Sequence, residues 1–180
     1  YKLGYNVMID FLLKKREGIK NNLPIVGPVN ENYWAFGDSY NKGAWVLHTL
    51  RNMIDNDDLW FSILKNFAID NAKGHVSTET FLNYLIKATG KNYQLVFYQY
   101  FYDHRPPTFE YHQEGQKFYY RWSNVISGFV MPVDIDLNGV EKRLEVSEEL
   151  SSISISEHSV IHIRDWESLI ITKRNSDLKK

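Results

Sequence analysis

Two hydrophobic periods divide this chain. Up to about His104 the apolar residues recur at helical spacing, and beyond it they alternate one by one. "YKLGYNVMIDFLLKKREG" sets Leu3, Val7, Met8, Phe11 and Leu12 on one helical face. Lys14, Lys15 and Arg16 suit the negative end of its dipole, and Gly18 can stop it. "NNLPIVGPVNENYWAFGDS" is a long aperiodic connection containing Pro24, Gly27, Pro28 and Gly37, the kind of loop that often carries function. A second helix follows in "DSYNKGAWVLHTLRNMI", with Trp45, Leu47, Leu50 and Ile54 available for the core. A third starts at Asp57 as N-cap and carries Trp60, Ile63, Leu64 and Phe67. "STETFLNYLIKATG" has Ser77 as cap, Glu79 in the first turn and Gly90 at the stop. "KNYQLVFYQYFYDH" is a fifth, aromatic helix whose stripe of Leu95, Tyr98, Gln99 and Tyr102 reads as core and interface.

"RPPTF" ends the helical part, because two prolines cannot continue a helix. In "GFVMPVDIDLNG", Phe129, Met131, Val133, Ile135 and Leu137 alternate with Val130, Pro132, Asp134 and Asp136. Asn138-Gly139 is a hairpin signal. "VEKRLEV" returns with Val140, Leu144 and Val146 inward, and "KFYYRW" sets Phe118, Tyr120 and Trp122 against Tyr119 and Arg121. "SISIS", "VIHIR" and "LIITK" supply three more strands. About seven short strands with frequent turns predict an antiparallel sandwich, and Pro132 implies an edge strand or bulge. "KRNSDLKK" reads as a frayed polar tail. The expected organisation is therefore α+β: a helical unit over 1–104 and a β-sandwich over 105–180.

The 180 residues are 43% hydrophobic and 15% aromatic, enough for a substantial core. A formal net charge of −1 argues against a nucleic-acid partner, which calls for a basic stripe. No apolar run has the length of a membrane-spanning helix. The absence of cysteine excludes disulfides, thiolate metal sites and cysteine nucleophiles. The first residue is Tyr1 and the opening helix has no cap ahead of it. It is expected to be cut from a longer protein.

Candidate chemistry is sparse. There is no phosphate loop, HExxH or nucleophile elbow. His48, His75, His104, His112, His158 and His162 lack the spacing of a helical ligand pair, so the chain by itself is not expected to hold a metal. His48 reads as a helix residue satisfied by a neighbour, and His162 as a residue facing solvent or the sheet's rim. Asp55, Asp57 and Asp58 read as helix-start residues, Glu148 and Glu149 as a solvated turn. Tyr40 remains. At a helix start after a long loop it is either a packed anchor or a phenol offered to a substrate, where it can donate a hydrogen bond to a developing oxyanion.

"SYNKGAWVLHTLR" resembles the Y-x-K-G-x-x-x-L-x-x-L-R segment of the M1 family of zinc aminopeptidases (gluzincins). "REGIKNNLPIVGP", "VSTETFLNYLIKATGKNYQLVFYQYFYDHRPPTFEY" and "YYRWSNVISGFVMPVDIDLNG" resemble, in the family's order, the bacterial branch's approach to that segment, the helices after it, and the opening of its sandwich domain. The resemblance implies that residues 1–104 are the C-terminal half of a thermolysin-like catalytic domain and that 105–180 form an Ig-like sandwich. It implies Tyr40 as the phenol that stabilises the tetrahedral intermediate. Zinc, its HExxH ligands, the glutamate base and the amine anchor belong to the parent protein and have no counterpart here. The implied substrates are peptides, trimmed from the N-terminus. The implied partner is the missing N-terminal half of the catalytic domain, on which this piece would pack, and the piece alone is expected to be inactive. Many bacterial members of this type are exported, so the reading leans toward an exported or periplasmic parent. The alternatives are a non-catalytic relative serving as an interaction scaffold, and a free-standing binding module.

Overall fold

The computed structural model describes residues 4–33 and 38–178. Leu3, Gly37 and the last two lysines of the tail, on which expectations fell, lie outside them. The helices are α1 (Gly4–Arg16), α2 (Asp38–Ile54), α3 (Asp57–Asp70), α4 (Thr78–Thr89) and α5 (Gln94–Phe97), the last continuing as a π-helical turn over Tyr98–Tyr102. Seven strands follow: β1 (Thr108–Glu114), β2 (Lys117–Ser123), β3 (Val133–Leu137), β4 (Val140–Leu144), β5 (Ser151–Ser154), β6 (Ile161–Ile163) and β7 (Ile171–Arg174). The chain is thus α+β, helices first and two mostly antiparallel sheets after.

Local chemistry sets the helix ends. Ser77 caps α4: its hydroxyl accepts from Thr80 N, while Thr80 Oγ1 accepts from Ser77 N, both at 3.1 Å. Gly90 ends that helix at φ 70°, a left-handed position that costs glycine little. The cap of α3 is Asn56, not Asp57. Asn56 Oδ1 accepts from Leu59 N at 2.9 Å, because the Asp57 carboxylate is taken by Arg51 at 2.7 Å.

Three helical faces differ from the expected ones. In α1 the buried residues are Ile9 and Leu12, whereas Val7 and Phe11 are exposed. In α2, Trp45, Leu50 and Ile54 are buried and Leu47 faces outward. In the fifth helix the buried stripe is Tyr93, Val96, Phe97 and Tyr100; of the expected stripe only Gln99 is buried. Aromatic residues occupy every side of that helix, so spacing could not choose a face. The π turn, closed by Asp103 N on Tyr98 O at 3.0 Å, also shifts the phase.

The strands form two sheets, ordered β5-β2-β1-β7 and β4-β3-β6. Every pair is antiparallel except β1·β7, which runs parallel with Thr108 opposite Ile171. The hairpin expected at Asn138-Gly139 joins β3 to β4, with φ 54° and 81° at its two residues. Pro132 marks no edge: β3 is bonded on both sides, and the proline stands just before its first ladder residue, where no N–H is needed. Val140 is exposed, while Leu144 and Val146 are inward. The tail is not frayed as far as Leu178, which is buried.

Helices and sheets share one core, in which Trp45, Leu50 and Tyr100 join Phe109, Trp122, Phe129 and Met131. They are also stitched together by hydrogen bonds to the segment between β6 and β7, Arg164–Ile170. One face of α2 (Trp45, His48, Thr49, Asn52) lies along it. His48 Nε2 meets Trp166 O at 3.1 Å, Asn52 Nδ2 donates to Glu167 O at 2.6 Å, and Thr49 Oγ1 accepts from Leu169 N at 3.0 Å. Burial holds the His48 imidazole below its ordinary pKa, which favours the uncharged ring. Arg16 reaches Asp165 O at 3.1 Å and also Ile170 O.

Tyr100 closes this seam from the fifth helix, its hydroxyl donating to Leu169 O at 3.0 Å in full burial. Tyr100→Phe keeps the ring but strands that carbonyl, and is expected to cost about 1–3 kcal/mol. Denaturant unfolding of the two proteins is the measurement; a loss below about 0.5 kcal/mol would mean that the seam does not depend on this bond.

Candidate functional site

The start of α2 is held by two buried charges on its inner side. Asp38, 1% exposed, accepts from Lys20 N at 2.9 Å and from Asn21 N at 2.8 Å, which fixes the incoming chain. Lys42, one turn on and fully buried, donates to His104 O at 3.2 Å and more weakly to Asp103 O at 3.5 Å. Burial pushes the Lys42 ammonium down, and the nearby carboxylates of Asp38 and Asp103 oppose that shift. The accepting carbonyls are themselves fixed. Arg105 clasps the Asp103 carboxylate at 2.5 Å and thereby holds it below the usual aspartate range, and Arg105 N donates to the same carboxylate at 2.8 Å.

Between these two anchors Tyr40 points the other way. It is 74% exposed, and its hydroxyl has no hydrogen-bond partner among the described residues. Tyr40, Gly43, Ala44 and Leu47 form the outer face of α2 and one wall of an open groove of about 550 Å³. Ser39, Ser77, Thr78, Phe81, Phe97 and Phe101 form the rest. Phe97 and Phe101 stack with centroids 5.1 Å apart, and Phe81 leans on Phe97 at 6.1 Å. The groove is open at Gly43, where a Cβ would meet nothing within 4 Å. The arrangement is a mainly apolar trough with a phenol at its edge: it can take an apolar group and donate one hydrogen bond beside it.

The other candidates are dispersed. His48 belongs to the helix–sheet seam. His75, His104, His158 and His162 are exposed, and His112 is part-buried. Asp55 and Asp57 are charge partners rather than caps, of Arg143 at 3.4 Å and of Arg51 at 2.7 Å. Glu148 is exposed and accepts from Gly128 N at 2.6 Å. Among the described residues no three of His, Asp and Glu gather closely enough to hold a metal, so this part of the fold does not fit a zinc centre.

The sequence reading missed the buried Asp38–Lys42 arrangement, although an acid followed by a base four residues later is a readable helical pair. It also missed the aromatic wall, for which the i, i+4 spacing of Phe97 and Phe101 was the available sign.

No protein-family model and no curated protein matches this sequence. Among solved structures the fold is similar to that of aminopeptidase A from Legionella pneumophila, crystallised in complex with aspartic acid. The TM-score is 0.66 at 17% sequence identity, covering 87% of this chain and 21% of that chain. The likeness is one of fold, and this chain spans about a fifth of the neighbour's length.

Asp38→Asn removes one acceptor and the charge from the first turn of α2, and is expected to destabilise by about 1.5–3 kcal/mol. Proteolysis should then open the 18–33 connection first. Gly43→Ala should act oppositely, adding about 0.5–1 kcal/mol because a helical glycine gains a side chain at no steric cost. Thermal and denaturant unfolding check both; a destabilised Gly43→Ala would mean that the groove wall is not free at that point.

Proposed function

We propose that this chain is part of a zinc-dependent aminopeptidase of the M1 family. In this reading residues 1–104 complete the catalytic domain, 105–180 form the following Ig-like sandwich, and Tyr40 donates to the oxyanion that forms as the peptide bond is attacked. The observation that carries the reading is the posture of Tyr40. A helix start anchored inward by two buried charges turns a phenol with no hydrogen-bond partner among the described residues out over an open trough. Such anchoring is what a transition-state donor requires, since a preorganised donor needs no rearrangement at the moment of reaction. The ordered resemblance of the Tyr40-Asn41-Lys42-Gly43 segment and its flanks, and the fold shared with an aminopeptidase, both support it.

The metal ligands and general base are assigned to residues outside this chain, and so is the N-terminal half of the catalytic domain. The exposed apolar side chains of α1, Val7 and Phe11, are offered as part of the surface on which that half packs.

The test uses the longer protein to which the chain is assigned. It should release N-terminal residues from aminoacyl anilides. Tyr40→Phe should lower kcat by roughly a hundredfold to a thousandfold, equivalent to about 2.7–4 kcal/mol of transition-state stabilisation, with KM little changed. Its thermal midpoint should stay where it was, because the hydroxyl bonds to none of the described residues. Normal turnover in the variant would remove Tyr40 from the mechanism. A longer protein that hydrolyses none of a panel of such substrates would favour an interaction scaffold instead.

A further inference from the structure

The seam between α2 and the β6–β7 segment contains a carboxyl group that no bond of the fold fully satisfies. Glu167 is 93% buried by its 7% relative exposure. Its Oε1 lies 2.6 Å from Arg164, while its buried Oε2 has no hydrogen-bond partner among the described residues. Arg164 is shared, since its other terminal nitrogen pairs with Glu141 of β4, and its buried Nε is also without a partner. The neighbouring cation, Arg143, is committed as well. It holds Asp134 of β3 at 2.9 and 2.7 Å, reaches Asp55 at 3.4 Å, and donates to Asn52 O at 2.8 Å. Two arginines thus serve four carboxylates, of Glu167, Glu141, Asp134 and Asp55.

The other groups facing the cluster do not repair that balance. Arg51 of α2 is bound by Asp57 of α3, burial holds the His48 imidazole below its ordinary pKa, Tyr5 of α1 is a phenol, and both Asp10 of α1, which lines one cleft with Arg164, and Asp136 of β3 are acidic. Asp55 and Glu141 are more than half exposed and keep water, so the cost of an unmet charge falls on the two buried carboxylates, Asp134 and Glu167. Asp134 has two bonds from Arg143 and Glu167 only one from Arg164, so Glu167 is the member that protonation relieves.

We propose that Glu167 is a pH-responsive latch: loss of its proton loosens the Arg164–Ile170 segment from α2, and uptake of the proton locks it. The geometry gives the latch its leverage. Asn52 holds the Glu167 carbonyl, and the adjoining bonds to Trp166 and Leu169 fall on the same face of α2. A charged Glu167 seeking water must move the backbone that these bonds grip. The inference stands apart from the peptidase reading and needs no substrate.

Burial, reinforced by Asp134 and Glu141 against the pull of Arg164, raises the carboxyl from the ordinary glutamate value to about 7. A group with a raised folded value binds its proton more tightly folded than unfolded. Its stabilisation is therefore whole below the ordinary glutamate range and is lost as pH rises through about 7.

The experiment is amide hydrogen exchange of the 180-residue chain from about pH 5 to about pH 8, corrected for intrinsic rates. Protection of 164–170 is compared with that of β1 and β2. Protection of the segment should fall more than tenfold relative to the strands across that window. In Glu167→Gln, neutral throughout, it should stay level. A flat wild-type profile, or an unchanged slope in Glu167→Gln, overturns the proposal. Should the variant fail to fold, the Glu167 side-chain carboxyl carbon is titrated by NMR in the wild type. A midpoint at about 6 or above upholds the latch, and one below about 6, toward the ordinary value near 4.3, overturns it.

Discussion

The fold depends on how one face of α2 grips a segment of backbone. Arg164–Ile170 crosses between β6 and β7 without regular pairing of its own, so its carbonyls and amides must find partners elsewhere. His48, Thr49 and Asn52 supply several from positions that a helix brings to one side, Tyr100 and Arg16 supply more, and turns within the segment and a bond to Asp134 O meet others. Each such bond is worth only about 0.5–1.5 kcal/mol net, but each group left unpaired in the seam would cost more than that. The junction is therefore specified by avoidance of unmet polar groups as much as by attraction. It fixes the rotation of α2 about its axis, and that rotation decides which residues of the helix face outward.

Because the inner face of α2 is committed, its outer face is free to be functional. Tyr40, Gly43, Ala44 and Leu47 fall there by the same helical period that sends Asp38, Lys42, Trp45 and Thr49 inward. Burying Asp38 and Lys42 would be costly if either stood alone. Both are met by backbone groups of a different chain segment, so the two charges convert their desolvation into a fixed position for the first turn. An apolar pair could fill the same volume, but it could not select which amides and carbonyls it touches.

Much of this was legible where one face of an element is wet and the other dry. The alternation from Phe129 to Ile135, the inward set Phe118, Tyr120 and Trp122, the Asn138-Gly139 turn, and the Ser77 and Gly90 boundaries follow from local chemistry and reappear in the structure. The faces of α1 and of the fifth helix were not legible, since both are apolar on more than one side and only tertiary packing chooses between sides. The parallel β1·β7 pairing was hidden for another reason: strands about sixty residues apart carry no local mark of direction. Of the site, the position of Tyr40 at a helix start could be read. The groove beside it could not, because Phe81, Phe97 and Phe101 come from two other parts of the chain.

The π turn at Tyr98–Tyr102 shows why that groove sits where it does. An uninterrupted α-helix would repeat the 3.6-residue period and keep its inward stripe to the end. The wider turn takes up an extra residue and so resets the phase of the stripe, and three demands are met within one short stretch. Gln99 turns inward, donating to Arg105 O and accepting from Ile126 N, both at 2.7 Å, which ties the helix to the first loops of the β half. Phe101 turns toward α2 and stacks on Phe97 as the groove wall. The chain then leaves at Asp103 with two successive carbonyls aimed at Lys42. An insertion that lengthened or shortened this turn would misplace all three together. The local departure from α geometry is thus what lets one helix serve the core, the β half and the edge of the Tyr40 groove at once.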